Sequence, residues 1–265
     1  MIQTKSLKNI YFLRKKLIIG VVSDVRQRYV GSLFGWLWAI LFPLMQLGIY
    51  AALYAIVFRI RVPGLTEIDY VILIFSGLVP IMAFNEALMA STNSIYSNKT
   101  MLLNSAFPPE LVPLRAALAA QVPPLFGLII TLLVGVFLGG TSWQAIIMVP
   151  LLWILIVMFA MGLGWILSLV SLIMKDIQQA LGIILMLLMV LSPFAYTPEM
   201  VPNALKIIIY FNPISYFVLC FQQVVCFGSW PDFHIFLIAF CISISTFMGG
   251  LYVFQKGKGI FFDYA

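Results

Sequence analysis

The strongest constraint in this chain is a set of apolar runs about as long as a membrane is thick. Trp36 to Phe58 and Ala145 to Met174 contain no Asp, Glu, Lys or Arg. About 20 such residues cross the hydrocarbon core of a bilayer as a helix. Across its 265 residues the chain is 63% hydrophobic and 9% charged. A soluble domain is roughly half apolar and about a quarter charged. Segments that face lipid must satisfy their own backbone, which helices do. The chain therefore reads as an all-α polytopic membrane protein with no room for a soluble catalytic domain.

Six spans are expected: Trp36–Phe58, Tyr70–Ser91, Leu114–Leu138 broken at Pro123-Pro124, Ala145–Met174, Ile177–Leu191 and Phe233–Phe254. Before them, residues 4–19 alternate apolar and basic positions at helical spacing, which suits a helix lying on the membrane surface. Ser23–Tyr29 is expected as a polar linker. Three parts follow: an interface helix and linker over residues 1–30, a transmembrane domain over 31–256 and a tail over 257–265. The N-terminus carries too much charge before its first long apolar run for a cleavable signal peptide. Of the 15 Lys and Arg, only Arg59, Arg61 and Lys206 fall on one side of this topology. Basic residues concentrate on the cytoplasmic side, so both termini are expected there. The net charge of +6 then reflects orientation, not nucleic acid.

Between the fifth and sixth spans, Ser192–Tyr216 is too apolar for an ordinary loop and too broken for a span. Pro193, Pro198, Pro202 and Pro213 each remove a backbone donor. Irregular backbone at membrane depth survives only inside protein or beside a cavity. A re-entrant segment is expected, and Ser192, Pro193, Tyr196, Pro198, Asn212 and Pro213 are candidates for a gate.

Other candidates are more dispersed. Glu86 is the one acid well inside a span, a position that points to function or to a partner on a neighbouring helix. Tyr50, Tyr54, Tyr210, Phe211 and Tyr216 could line a path, since aromatic faces stack on sugar rings. In the cytoplasmic loop Ser97–Glu110, a short helix displaying Lys99, Met101, Leu102, Leu103 and Phe107 would offer an apolar docking patch. His234 stands alone, no acid cluster joins it, and Cys220, Cys226 and Cys241 lack metal-ligand spacing, so neither catalysis nor a metal is expected. No G-x-x-x-x-G-K-[ST] phosphate loop is present, so this chain should not itself hydrolyse ATP.

Several stretches occur together in a known order. They are D-V-R-Q-R-Y-V-G-S-L-F-G-W-L-W-A-I-L-F-P from Asp24, F-S-G-L-V-P from Phe75, F-P-P-E-L-V-P from Phe107, K-D-I from Lys175, S-P-F-A-Y-T-P-E-M-V-P from Ser192 and N-P-I from Asn212. The chain resembles the membrane subunit of ABC-2 type polysaccharide exporters, which handle O-antigen, capsule and teichoic acid polymers. Lys175 stands where that family often has Arg, and Glu86 gains no role from the pattern. The resemblance implies a homodimer and a separate cytoplasmic ATPase that binds ATP and Mg. That ATPase would dock on the N-terminal helix and the Ser97–Glu110 loop. It also implies short external half-helices that gate the channel, and a glycan on an undecaprenyl carrier. Exporters of drugs or small lipids, ion-driven transporters and lipid-carrier enzymes are the rivals. The last two lack, respectively, several intramembrane charges and a catalytic constellation.

Overall fold

The computed structural model describes residues 13–265 except 60, 61, 63, 105, 106, 175 and 265, and leaves out residues 1–12; the side chains of residues 103, 104, 258 and 260–264 are also outside the description. Every regular element among the described residues is helical. The helices are α1 (Arg14–Tyr29), α2 (Trp38–Ala51), α3 (Glu67–Ser97), α4 (Lys99–Asn104), α5 (Leu111–Ala119) and α6 (Val122–Leu138). They continue with α7 (Gln144–Ile173), α8 (Ile177–Leu191), α9 (Lys206–Phe211), α10 (Pro213–Val225) and α11 (Phe233–Tyr264).

The centre is α3 and α7, which pack on each other. The most apolar stretch of α3 is 83% buried, against 11% for the span containing α2. So α3 is a core helix and α2 presents most of its surface outward. Thr66 starts α3 with a reciprocal cap. The Asp69 N–H donates to Thr66 Oγ1 at 3.2 Å, and the Thr66 N–H donates to an Asp69 carboxylate oxygen at 3.2 Å. Glu67 and Asp69 in the first turn also complement the helix dipole. Helices α7 and α11 touch through their backbones. A Cβ on Gly162 would strike the Thr246 carbonyl, and one on Gly250 would strike the Gly162 carbonyl. Small residues permit this approach where lipid gives no hydrophobic drive.

Among the described residues, four helical segments are long and apolar enough to cross a membrane. They are Gly35–Val57, Glu67–Ser97, Gln144–Ile173 and Phe233–Gly257. The pair α5 and α6 bends by 40°. That break falls at Ala120-Gln121, ahead of the expected Pro123-Pro124, because proline suits the first turn of a helix, where no donor is needed. The 15 residues of α8 span only about 22 Å. After it the chain turns through short 3₁₀ turns at Pro198–Met200 and Asn203–Leu205 into α9. The segment Asn203–Phe211 then meets α10 at 98°, the geometry of a re-entrant loop.

Two expectations change, and one unforeseen feature is added. Ser23–Tyr29 is not a linker but the second half of α1, whose Leu17 and Val25 are buried; the surface helix expected at residues 4–19 lies mostly outside the described residues. The expected tail continues α11 as helix to Tyr264. Helix α2 ends in a π-helical turn, Ala52–Val57, closed by the Phe58 N–H donating to the Leu53 carbonyl at 2.9 Å.

Candidate functional site

Two regions gather the expected residues: the basic end of the bundle, where α1, α4 and α5 meet α3, and the kinked segment at the far end. At the basic end, Arg28 of α1 reaches Glu86 of α3 at 3.4 Å. Both side chains are about a third exposed (36% and 35%). The intramembrane acid thus has a counter-charge on a neighbouring element, the plainer of its two expected fates. Arg115 of α5 binds Asp24 of α1 at 2.7 Å and donates to Asn98 Oδ1 at 3.2 Å. One guanidinium therefore joins α1, α5 and the junction between α3 and α4. Burial raises the Asp24 carboxyl above its usual range, against the pull of Arg115 and Arg28. These groups border a cavity of about 550 Å³ whose wall includes Asp24, Gln27, Arg28, Glu86, Asn93 and Gln178.

Helix α4 carries the candidate docking residues, and their display is partly corrected. Leu102 is buried at 5% exposure, and Met101 and Phe107 pack against the core. The helix lies back on the bundle, held where Arg115 meets Asn98 and the Met101 sulfur. Apolar residues next to an apolar core fold inward first, so this patch is smaller than expected. Lys99 begins α4 half-buried, and Leu103 lies on it by backbone.

At the far end, Asn212 organises the kink. Its amide nitrogen donates to the Leu188 carbonyl at 3.0 Å and to Ser192 Oγ at 2.9 Å. Its Oδ1 accepts the Ile214 N–H at 3.0 Å, capping α10, with Pro213 in the first turn. Gln222 of α10 donates to the Pro193 carbonyl at 2.8 Å, and the Tyr70 hydroxyl donates to the Ala195 carbonyl at 2.9 Å. Tyr196 closes locally on the Leu191 carbonyl at 3.1 Å. Pro198 opens the first 3₁₀ turn. The irregular backbone is thus satisfied from α3 and α10, and its own side chains in turn donate to carbonyls of α8, as backbone at membrane depth would require. The functional candidates read from sequence include neither Tyr70 nor Gln222. A glutamine amid apolar residues was the available signal for the latter.

The candidate path aromatics fall into two sets. Tyr50 and Tyr54 stack with centroids 6.5 Å apart, and each is nearly perpendicular to Phe194, at 5.5 and 5.7 Å. Phe194, from the kinked segment, was not foreseen. Tyr210, Phe211 and Tyr216 lie around the kink, where the Tyr216 hydroxyl donates to the Tyr210 carbonyl at 2.8 Å. Phe211 is 88% exposed. His234 is exposed beside Phe233. No cluster of three or more potential metal ligands occurs among the described residues.

The family described as "ABC-2 type transporter" matches residues 17–226. The chain is 26% identical over 251 residues to an O-antigen export system permease protein RfbA of Klebsiella pneumoniae, covering 94% of this chain and 95% of that one. It is 21% identical over 254 residues to the RfbA of Myxococcus xanthus, covering 95% and 96%. To the polysialic acid transport protein KpsM of Escherichia coli it is 23% identical over 198 residues, covering 74% and 75%.

Proposed function

The chain belongs to the ABC-2 type transporter family, and on that premise we propose that it is the permease of a polysaccharide exporter. Its substrate would be a lipid-linked, O-antigen-like glycan on an undecaprenyl carrier, moved across a bacterial cytoplasmic membrane. The observation that carries this is near full-length similarity to O-antigen export permeases from two organisms. The chain is not itself an enzyme. ATP binding and hydrolysis belong to a separate cytoplasmic subunit, docked on α1 and α4.

Two copies would form the channel, with the outward faces of α2 and α8 available to meet. ATP-driven closure of the partner would push on α1 and α4. Arg115 of α5 would pass that push to α3, because it bonds to Asp24 of α1 and to Asn98 where α3 meets α4. The kinked segment would act as the gate, and Tyr50 and Tyr54 would offer flat apolar faces along which sugar rings slide. Both termini would lie in the cytoplasm, as the basic residues favour.

The test is the position of polymer in cells lacking this chain, labelled by antibody before and after permeabilisation. The expected result is polymer made normally but held inside as a lipid-linked pool. Normal surface polymer, with no second exporter present, would sink the proposal and favour export of a drug or small lipid.

A further inference from the structure

A second, smaller cavity of about 150 Å³ lies beyond Glu86, toward the kinked segment. Gln46 of α2 and Asn85 and Glu86 of α3 line it, with Phe42, Leu78 and Met189 among its apolar wall. Three polar side chains meeting in a span-deep, otherwise apolar wall are costly unless something pairs with them. Asn85 Oδ1 is buried with no hydrogen-bond partner.

The position of this cluster is informative. Glu86 lines both this cavity and the larger one at the basic end. Met189 lies on the other side, and the Tyr50 hydroxyl contacts its sulfur at 3.9 Å. Phe42, Gln46, Tyr50 and Tyr54 follow one another at four-residue steps along α2 and its π-helical turn. Glu86 and Met189 thus link the basic-end cavity, this polar cluster and the Tyr50–Tyr54 pair beside Phe194.

We propose that Gln46, Asn85 and Glu86 form a binding station for the hydroxyls of uncharged sugar units, set between the basic-end cavity and the Tyr50–Tyr54 face. This rests on the export reading above. Amides both donate to and accept from vicinal hydroxyls, a carboxylate accepts from them, and the Asn85 oxygen has no partner within the described chain. The charge pattern selects against a polyanion. The Glu86 carboxylate would repel one, and the arginines at this end, Arg28 and Arg115, are already engaged by Glu86 and Asp24.

The experiment uses cells that make a neutral polymer, with the full chain and its ATPase. Gln46→Met and Asn85→Leu are introduced singly, so that one remains informative if the other does not insert. Membrane abundance and copurification with the ATPase establish assembly. Ser245→Ala, at an exposed hydroxyl bonded within α11, is the control and should export like the parent. The expected result is a fall in surface polymer of about tenfold, the equivalent of one lost hydrogen bond to a substrate group, with a matching rise inside. Parental surface polymer from an assembled variant would overturn the station while leaving the exporter intact. If cells lacking the chain accumulate nothing, the export reading fails and the station with it. In cells making polysialic acid, export by the parent chain as efficient as that of the neutral polymer would overturn the selection against polyanions.

Discussion

Arg115 does the work of a rivet. Its side chain is 13% exposed, and it holds Asp24 on one side and Asn98 on the other. Arg115→Met would strand a largely buried carboxylate and free α4. A loss of about 2 kcal/mol is expected, below the range for fully buried pairs, read as a lower melting temperature and weaker copurification with the ATPase. Glu86→Gln should cost less, about 0–1 kcal/mol, since its pair with Arg28 is open to water. The raised Asp24 carboxyl gives a sign for pH. It protonates more readily folded than unfolded, so its stabilising contribution is present below the unfolded value and is lost as pH rises through the folded one. Asp24→Asn should therefore flatten the melting temperature's dependence on pH between the carboxylate range and neutrality.

At the scale of elements, the kink and the α7–α11 contact are the parts least tolerant of change. Asn212→Ala removes two donated bonds and one helix cap at once. It should destabilise by about 1–3 kcal/mol and make residues of α9 more reactive to a membrane-impermeant thiol reagent after cysteine substitution. Gly250→Leu should separate α7 from α11, because its side chain would meet backbone that cannot yield, and the folded protein recovered from membranes should fall sharply. Gly182 of α8 has nothing within reach of a Cβ, so Gly182→Ala should be silent by the same measurement. The helices themselves were legible because the bilayer fixes their length and composition. The re-entrant turn was legible because Asn212-Pro213 and Pro193 make no sense in a lipid-facing helix. The second half of α1 was not, because Ser23–Tyr29 looks polar until Arg115 and Glu86 supply partners 58 or more residues away.

For the whole molecule, the spread of burial separates a rigid centre from outward helices. Helices α3 and α7 are fixed by one another, α7 also by α11 and α3 also by α5, α6 and α10, whereas α2 and α8 carry large apolar faces outward, including Met45, Ile49, Met186 and Val190. This is why the candidate path was only half legible. Tyr50 and Tyr54 were found as aromatic residues, but Phe194, Gln46 and Asn85 become partners only when α2, α3 and the kinked segment converge. The orientation can be checked directly. A cysteine at Ser229 should react with an impermeant reagent in intact cells, and one at Asn98 only after the membrane is opened. The reverse result would invert the topology.

The π-helical turn at the end of α2 acts as a phase adjuster for the residues around it. An ordinary helix advances about 100° per residue, so four residues overshoot a full turn by about 40°. A wider turn absorbs that drift, and Tyr54 comes back over Tyr50 with its ring nearly parallel, inclined by 17°. Such a turn holds one residue more than its regular counterpart. Removing Ala52 would let the turn close as an ordinary one, leaving Phe58 nearly in phase but placing Tyr54 three steps after Tyr50, about 60° short of a full turn, and so leaving Phe194 with one tyrosine instead of two.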